Sequence, residues 1–197
     1  MSPANKFIKR VFDLLVSTIG LVLFGWLILI CAVLARLDTG LSGFFKQTRV
    51  GKDAKLFKVY KLRSMRNIEG VTTTVSTSKD PRITKMGAFW RKSKLDELPQ
   101  LINVFKGEMS FVGPRPDVPG FMDKLEGEDR VLLDIRPGIT GPASIYFKDE
   151  EALLAAQDDP EKYNAEVIWP KKVELNKEYI ENYSIFKDIG YIIKTVL

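Results

Sequence analysis

The chain contains no histidine and a single cysteine. The first absence removes the commonest general base and the usual partner of a serine or cysteine nucleophile, so His-containing triads and zinc hydrolase motifs are excluded. With Cys31 alone there is neither an intramolecular disulfide nor a Cys-based zinc site, and its place in an apolar run reads as a buried, inert thiol. Walker A and Gly-x-Gly-x-x-Gly patterns are missing too, which leaves ATP hydrolysis and Rossmann-type dinucleotide binding without support. No internal repeat or low-complexity tail occurs. Any catalysis must therefore rest on carboxylates and cations.

What is present fits one globular core with an anchor: 197 residues, 45% of them hydrophobic. The net charge of +5 suits an anionic membrane surface, nucleic acid or phosphorylated substrates without choosing among them. Between Asp13 and Arg36 lie 22 residues without a charge. A straight helix of that length covers about 33 Å, enough to cross the hydrocarbon core of a bilayer. A cleaved signal peptide is the main rival, but the run is long for such a segment and lacks a small-x-small cleavage site. Lys6, Lys9 and Arg10 precede the run and Arg36, Lys46, Arg49 and Lys52 follow it, so the flanks set no positive-inside orientation. A re-entrant hairpin broken at Gly25-Trp26 resolves this, with each arm about one leaflet deep. A plain single span is the alternative.

Beyond the anchor, GFFKQTRV and LFKVYKL flank a Gly51 to Lys55 loop and predict a β-hairpin. Asn67 to Lys79, rich in Thr and Ser, reads as a mobile surface loop. Helices are expected over Thr84 to Lys94 and Asp96 to Lys106, with a short one near Phe121 to Leu133 between two Pro- and Gly-rich loops, VGPRPDVPG and IRPGITGPAS. Asp149 to Trp169 is acidic and helix-prone, as in a surface insertion. Tyr183 to Leu197 predicts a final helix whose apolar stripe, Ile185, Ile189, Ile192 and Val196, serves core packing or membrane docking.

The chemistry concentrates in RKSKLDELPQLINVFKGEMSFVGPRP, Arg91 to Pro116. Proline is tolerated in the first turn of a helix and poorly further in, so Pro99 places Asp96 and Glu97 at a helix start. There the free N–H groups and partial positive charge favour carboxylates and attract phosphate. Taken alone, such a pair is an ordinary cap. Arg91, Lys92 and Lys94 just upstream, and Arg115 between Pro114 and Pro116, make a carboxylate pair with nearby cations, which suits binding and attack on a pyrophosphate.

Five ordered motifs, KRVFDLL, FKVYKLRSM, DPRITKMG, LDELPQLINVFKGEMSFVGPRP and RPGITG, make the chain resemble the bacterial sugar transferases, the small monotopic phosphoglycosyl transferases, over nearly its whole length. The resemblance implies an α/β fold: a compact, helix-rich catalytic domain with a small β-hairpin, residues 37–197. Residues 1–36 would be a basic N-terminus and re-entrant membrane helix holding that domain at the cytoplasmic face of the bacterial inner membrane. It further implies that Asp96 is the nucleophile and that Glu97, with Asp96, holds Mg²⁺. Arg91 and Lys61 are expected near phosphate, Pro114, Arg115 and Pro116 near the nucleotide, and Arg136 of RPGITG at the substrate. The implied reaction moves a phosphosugar from a UDP-sugar to polyprenol phosphate with loss of UMP. The implied partners are those two substrates and membrane lipid, with no nucleic-acid polymer. Two positions depart from the family pattern: Gly25-Trp26 stands where relatives carry Ser-Pro, and Pro142 follows RPGITG where Trp is common.

Overall fold

The computed structural model describes residues 1–68 and 80–196. The loop expected over Asn67 to Lys79 lies almost entirely outside the described residues. The first element, α1 (Pro3–Thr39), starts where Ser2 Oγ accepts the Asn5 N–H at 3.2 Å with Pro3 in the first turn, and stops at Gly40 in the left-handed conformation, φ 72°. Glycine carries that conformation without the Cβ clash that other residues meet. The helix runs unbroken through Gly25 and Trp26, so the hairpin expected there is not formed. One interior glycine costs about 1 kcal/mol relative to alanine, too little to break a 37-residue helix that has no internal proline.

Both halves of α1 pack on the rest of the chain. At its start Lys9 pairs with Asp188 at 2.6 Å, and Arg10 donates to the Val104 and Phe105 carbonyls at 2.7 and 2.9 Å. Those carbonyls end α3 (Gln100–Lys106), where a cation complements the helix dipole. Asp13 accepts from Ser110 Oγ and from the Phe111 N–H. Near its other end Cys31, Ala32 and Ala35 bury with Leu62 and Trp90, as the apolar setting of Cys31 predicted. Gly43 crosses there so closely that a Cβ would sit 1.8 Å from the Ala32 carbonyl oxygen. The opposite face, including Leu15, Val22, Trp26, Leu29, Val33 and Leu37, is exposed, and α1 is long and apolar enough to cross a membrane.

The expected hairpin is present: β1 (Phe44–Val50) pairs antiparallel with β2 (Leu56–Leu62), with Phe45 opposite Lys61 and Arg49 opposite Phe57. Then come α2 (Lys85–Ser93), capped by Thr84 Oγ1 accepting the Gly87 N–H, a 3-10 turn over Leu95–Glu97, and α3. A second, parallel pair, β3 (Ser110–Val112) with β4 (Gly138–Thr140), joins the two Pro- and Gly-rich stretches read as loops. Where one helix was expected near Phe121 to Leu133, there are two 3-10 segments, Met122–Lys124 and Gly127–Asp134. Leu125 and Glu126 between them are extended, and Gly127, which opens the second segment, has φ 56°, so no continuous helix forms.

The C-terminal third holds α4 (Pro142–Tyr146), α5 (Glu150–Ala155), α6 (Pro160–Tyr163), a π turn over Asn164–Ile168, α7 (Trp169–Glu181) and α8 (Ile185–Val196). The largest core cluster gathers Val50, Val112, Leu132, Leu133, Tyr179 and Ile180. Helix α8 turns Asp188, Tyr191 and Ile192 inward and leaves Phe186, Ile189 and Ile193 exposed, so its apolar stripe is split between core and surface. A buried ion pair explains the split: Asp188 reaches in to Lys9 and accepts the Tyr179 hydroxyl hydrogen at 2.7 Å.

Candidate active site

Sequence order alone places Asp96 and Glu97 before α3; local geometry sets how. Lys94 ends α2 in the left-handed region, φ 59°, a conformation that costs a non-glycine residue about 1 kcal/mol. The chain then makes the 3-10 turn, with Glu97 N–H on the Lys94 carbonyl and Leu98 N–H on that of Leu95. Pro99, which has no N–H to give, is the N-cap of α3. The carboxylates thus sit in the turn ahead of α3 rather than in its first helical turn, as the sequence had suggested.

Glu97 Oε1 accepts from Lys61 Nζ at 2.7 Å and from Arg115 Nη2 at 3.4 Å. Burial opposes its charge, but Lys61 and Arg115 outweigh burial and hold its pKa at about 2. Glu97 is therefore a fixed anion near neutrality. Asp96, 8% exposed, behaves in the opposite way: burial pushes its carboxyl above the ordinary range against the pull of Lys61, and the neighbouring Glu97 charge adds to the push. Its Oδ1 is buried and has no hydrogen-bond partner among the described residues. A buried carboxylate oxygen with nothing to accept is free to bond to a ligand atom.

Both carboxylates line a cavity of about 1450 Å³ whose wall also carries Lys61, Arg91 and Arg115. Most of the anticipated residues are therefore together. Pro114 and Pro116 are buried beside the cavity rather than in its lining: the Pro114 carbonyl accepts the Gly138 N–H at 2.8 Å and that of Pro116 accepts from Arg49 at 3.1 Å. They fix the loop that presents Arg115. Arg136 is elsewhere: it donates to the Gly107 carbonyl at 2.7 Å and lines a separate cavity of about 100 Å³ with Lys9 and Asp13. The segment expected as a surface insertion begins instead as cavity wall, with Asp149, Glu150 and Ala152, next to Ser144 and Phe147. Arg49, Gln47 and Arg63 also line the cavity. Strand alternation was the signal that could have found them, because the five-residue loop puts Phe45 across from Lys61 and thereby places Gln47 and Arg49 on the lysine's face.

The family model described as bacterial sugar transferase matches residues 4–197. The chain belongs to the bacterial sugar transferase family. A UDP-N-acetylgalactosamine-undecaprenyl-phosphate N-acetylgalactosaminephosphotransferase of Aeromonas hydrophila is 37% identical over 199 residues, covering 99% of this chain and 44% of the relative. The UDP-glucose:undecaprenyl-phosphate glucose-1-phosphate transferase of Escherichia coli (strain K12) is 37% identical over 202 residues, 100% of this chain and 41% of that one. An exopolysaccharide production protein, PSS, of Rhizobium leguminosarum bv. phaseoli is 38% identical over 200 residues, with 96% and 94% covered. The chain thus spans less than half of the first two relatives and nearly all of the third.

Proposed function

We propose that this sugar transferase family member moves a phosphosugar from a UDP-sugar to polyprenol phosphate through a covalent intermediate on Asp96. The carrying observation is the unpartnered buried Oδ1 of Asp96 at a cation-lined cavity, beside a Glu97 already neutralised by Lys61 and Arg115. Two relatives bear names in which undecaprenyl phosphate and a UDP-linked sugar appear, which supports this acceptor and donor.

In the first step an Asp96 oxygen attacks the β-phosphorus, the bond from that phosphorus to the bridging oxygen breaks, and the electron pair leaves on UMP. The acyl phosphate left behind is reactive enough to pass its group on. In the second, an oxygen of the lipid phosphate attacks the same phosphorus, the bond to Asp96 breaks, and the carboxylate is regenerated with a lipid pyrophosphate sugar as product. Lys61, Arg91 and Arg115 offset the phosphate charge that would repel an anionic nucleophile.

Among the described residues no group of three metal-ligating side chains occurs. Mg²⁺ needs fewer, since it binds through one or two carboxylates plus substrate phosphates and water. The orphaned Asp96 oxygen and its neighbour Glu97 fit that role. When bound there, the ion would screen phosphate charge.

The exposed apolar face of α1 would lie in the membrane. Lys9 to Asp13 and Cys31 to Ala35 dock on the same catalytic body, which supports a topology in which both flanks of the apolar run lie on one side of the membrane, proposed as the cytoplasmic face of the inner membrane on the family resemblance. Pro3→Cys and Lys52→Cys on a Cys31→Ser background should be labelled by an impermeant thiol reagent from the same side of vesicles; opposite-side labelling would refute this topology. For the chemistry, incubation with a pool of UDP-sugars and Mg²⁺ should release UMP and leave a phosphosugar on Asp96 detectable by mass spectrometry. An Asp96→Asn variant that keeps turning over would sink the mechanism.

A further inference from the structure

A row of side chains crosses one face of the β1–β2 hairpin. Arg49, Gln47 and Phe45 alternate along β1, Phe45 lies opposite Lys61, and Arg63 prolongs β2 by donating its N–H to the Gly43 carbonyl at 2.8 Å. Successive strand side chains alternate between faces, so these five share one, and all five line the large cavity. The row has a direction. At one end Arg49 holds the Pro116 carbonyl beside Arg115. In the middle Lys61 holds Glu97. Arg63 stands about 7 Å beyond Lys61 along the strand, at the end next to α1.

Arg63 is fixed in place yet not neutralised. Its Nε donates to the Ser42 carbonyl at 2.7 Å and its guanidinium lies 5.5 Å from the Phe45 ring centre. Among the described residues no carboxylate pairs with it and its two terminal nitrogens have no hydrogen-bond acceptor, whereas Lys61, Arg115 and Arg66 each engage a carboxylate. A guanidinium held by its Nε, with both terminal N–H groups unused, presents a ready fork for a phosphate. The rim beside it carries exposed apolar side chains and is tied to the end of α1. Phe45 and Ile68 are exposed cavity residues, Leu37 is 76% exposed near the end of α1, and Arg66 ties this edge to the Asp38 carbonyl and carboxylate at 3.0 and 3.2 Å.

We infer that Arg63 receives the phosphate of the lipid acceptor, whose chain enters between the end of α1 and the Phe45–Ile68 rim. This rests on the phosphosugar-transfer reading above. The departing UMP phosphate and the entering lipid phosphate use the same side of the phosphorus, opposite Asp96, because each displacement is in line. They take turns there, and only their other ends need separate exits. The Arg49–Arg115 end takes the nucleotide, and the Arg63 end, next to the membrane helix, takes the lipid.

The test uses the full chain in lipid nanodiscs, a C55 polyprenyl phosphate and a UDP-sugar that supports UMP release. Losing the charge-assisted hydrogen bonds in Arg63→Ala should raise the KM for polyprenyl phosphate about ten- to a hundredfold, with Arg63→Lys between it and wild type. The KM for the UDP-sugar should move less than about twofold, and Arg115→Ala should show the reverse split. An Arg63→Ala or Arg63→Lys enzyme that melts like wild type but keeps the acceptor KM, or loses donor affinity equally, overturns the assignment. A wild-type chain that releases no UMP from any UDP-sugar overturns the transfer reading itself, and the assignment with it.

Discussion

Replacing Lys9 by methionine tests how α1 is fastened to the rest of the chain. Lys9 and Asp188 have side chains only 7% and 1% exposed and lie 2.6 Å apart, with the lysine also 6.0 and 5.7 Å from the ring centres of Tyr179 and Tyr183. Removing one member of a buried pair strands the other charge, which costs about 3–5 kcal/mol. Asp188 would keep the Tyr179 hydroxyl as donor, so the lower end, about 3 kcal/mol, is expected. For a chain near 200 residues each kcal/mol moves the melting midpoint by about 2–4 °C, giving a fall of about 6–12 °C. Lys9→Met/Asp188→Asn removes both charges while leaving an acceptor for Tyr179, and should recover more than half of that loss. Tryptophan fluorescence melts in one detergent would measure this, because Trp90 is buried against α1. A single variant within about 2 °C of wild type, or a double variant no more stable than the single, would refute the reasoning.

Three further outcomes follow from particular contacts. In Gly87→Ala the new Cβ would lie 2.0 Å from the Ser64 carbonyl oxygen, so α2 must shift; a loss of about 1–3 kcal/mol is expected in melts, with weaker UMP release because Arg91 rides on that helix. Arg49→Ala frees the Pro116 carbonyl and loosens the loop carrying Arg115, so the KM for the UDP-sugar should rise about tenfold in steady-state assays while the acceptor KM stays near wild type. The Arg82 hydrogen bond holds the Asp80 carboxyl at about 2. A depressed carboxylate contributes stability that is full above its ordinary pKa and lost as pH falls through the folded value. The stability gap between wild type and Arg82→Met should therefore narrow between pH ~4 and ~2 in melts run as a pH series, and a gap that widens on acidification would contradict it.

The placement of the acidic pair shows where reading the chain stops being sufficient. Pro99 marked the region, yet the left-handed Lys94 and the 3-10 turn put the carboxylates ahead of α3, and nothing local distinguishes that turn from a helical one. Arg115 was legible because two prolines bracket it. Arg136 looked equivalent and is not: its partner is the Gly107 carbonyl, 29 residues away in sequence, a contact that no local pattern encodes. Helix α8 misled for a similar reason. Its apolar residues predict one periodic face, whereas a polar residue, Asp188, sets the inward face through a partner 179 positions away.

By itself the sequence determined the elements with strong local causes. These are a helix over the long uncharged run, the hairpin from its alternation and loop, the helix that starts near Thr84, and a chemistry of carboxylates and cations in a chain without histidine. Tertiary structure alone decided which cations face the carboxylates, that both halves of α1 dock on one body, and that the segment after Pro142 lines the cavity. The physical reason is range: propensity and capping act over a few residues, while burial and charge pairing join groups that only the packed chain brings together. Arg63 illustrates the difference, an ordinary arginine in the sequence and, once folded, a guanidinium near the end of α1 with no carboxylate partner among the described residues.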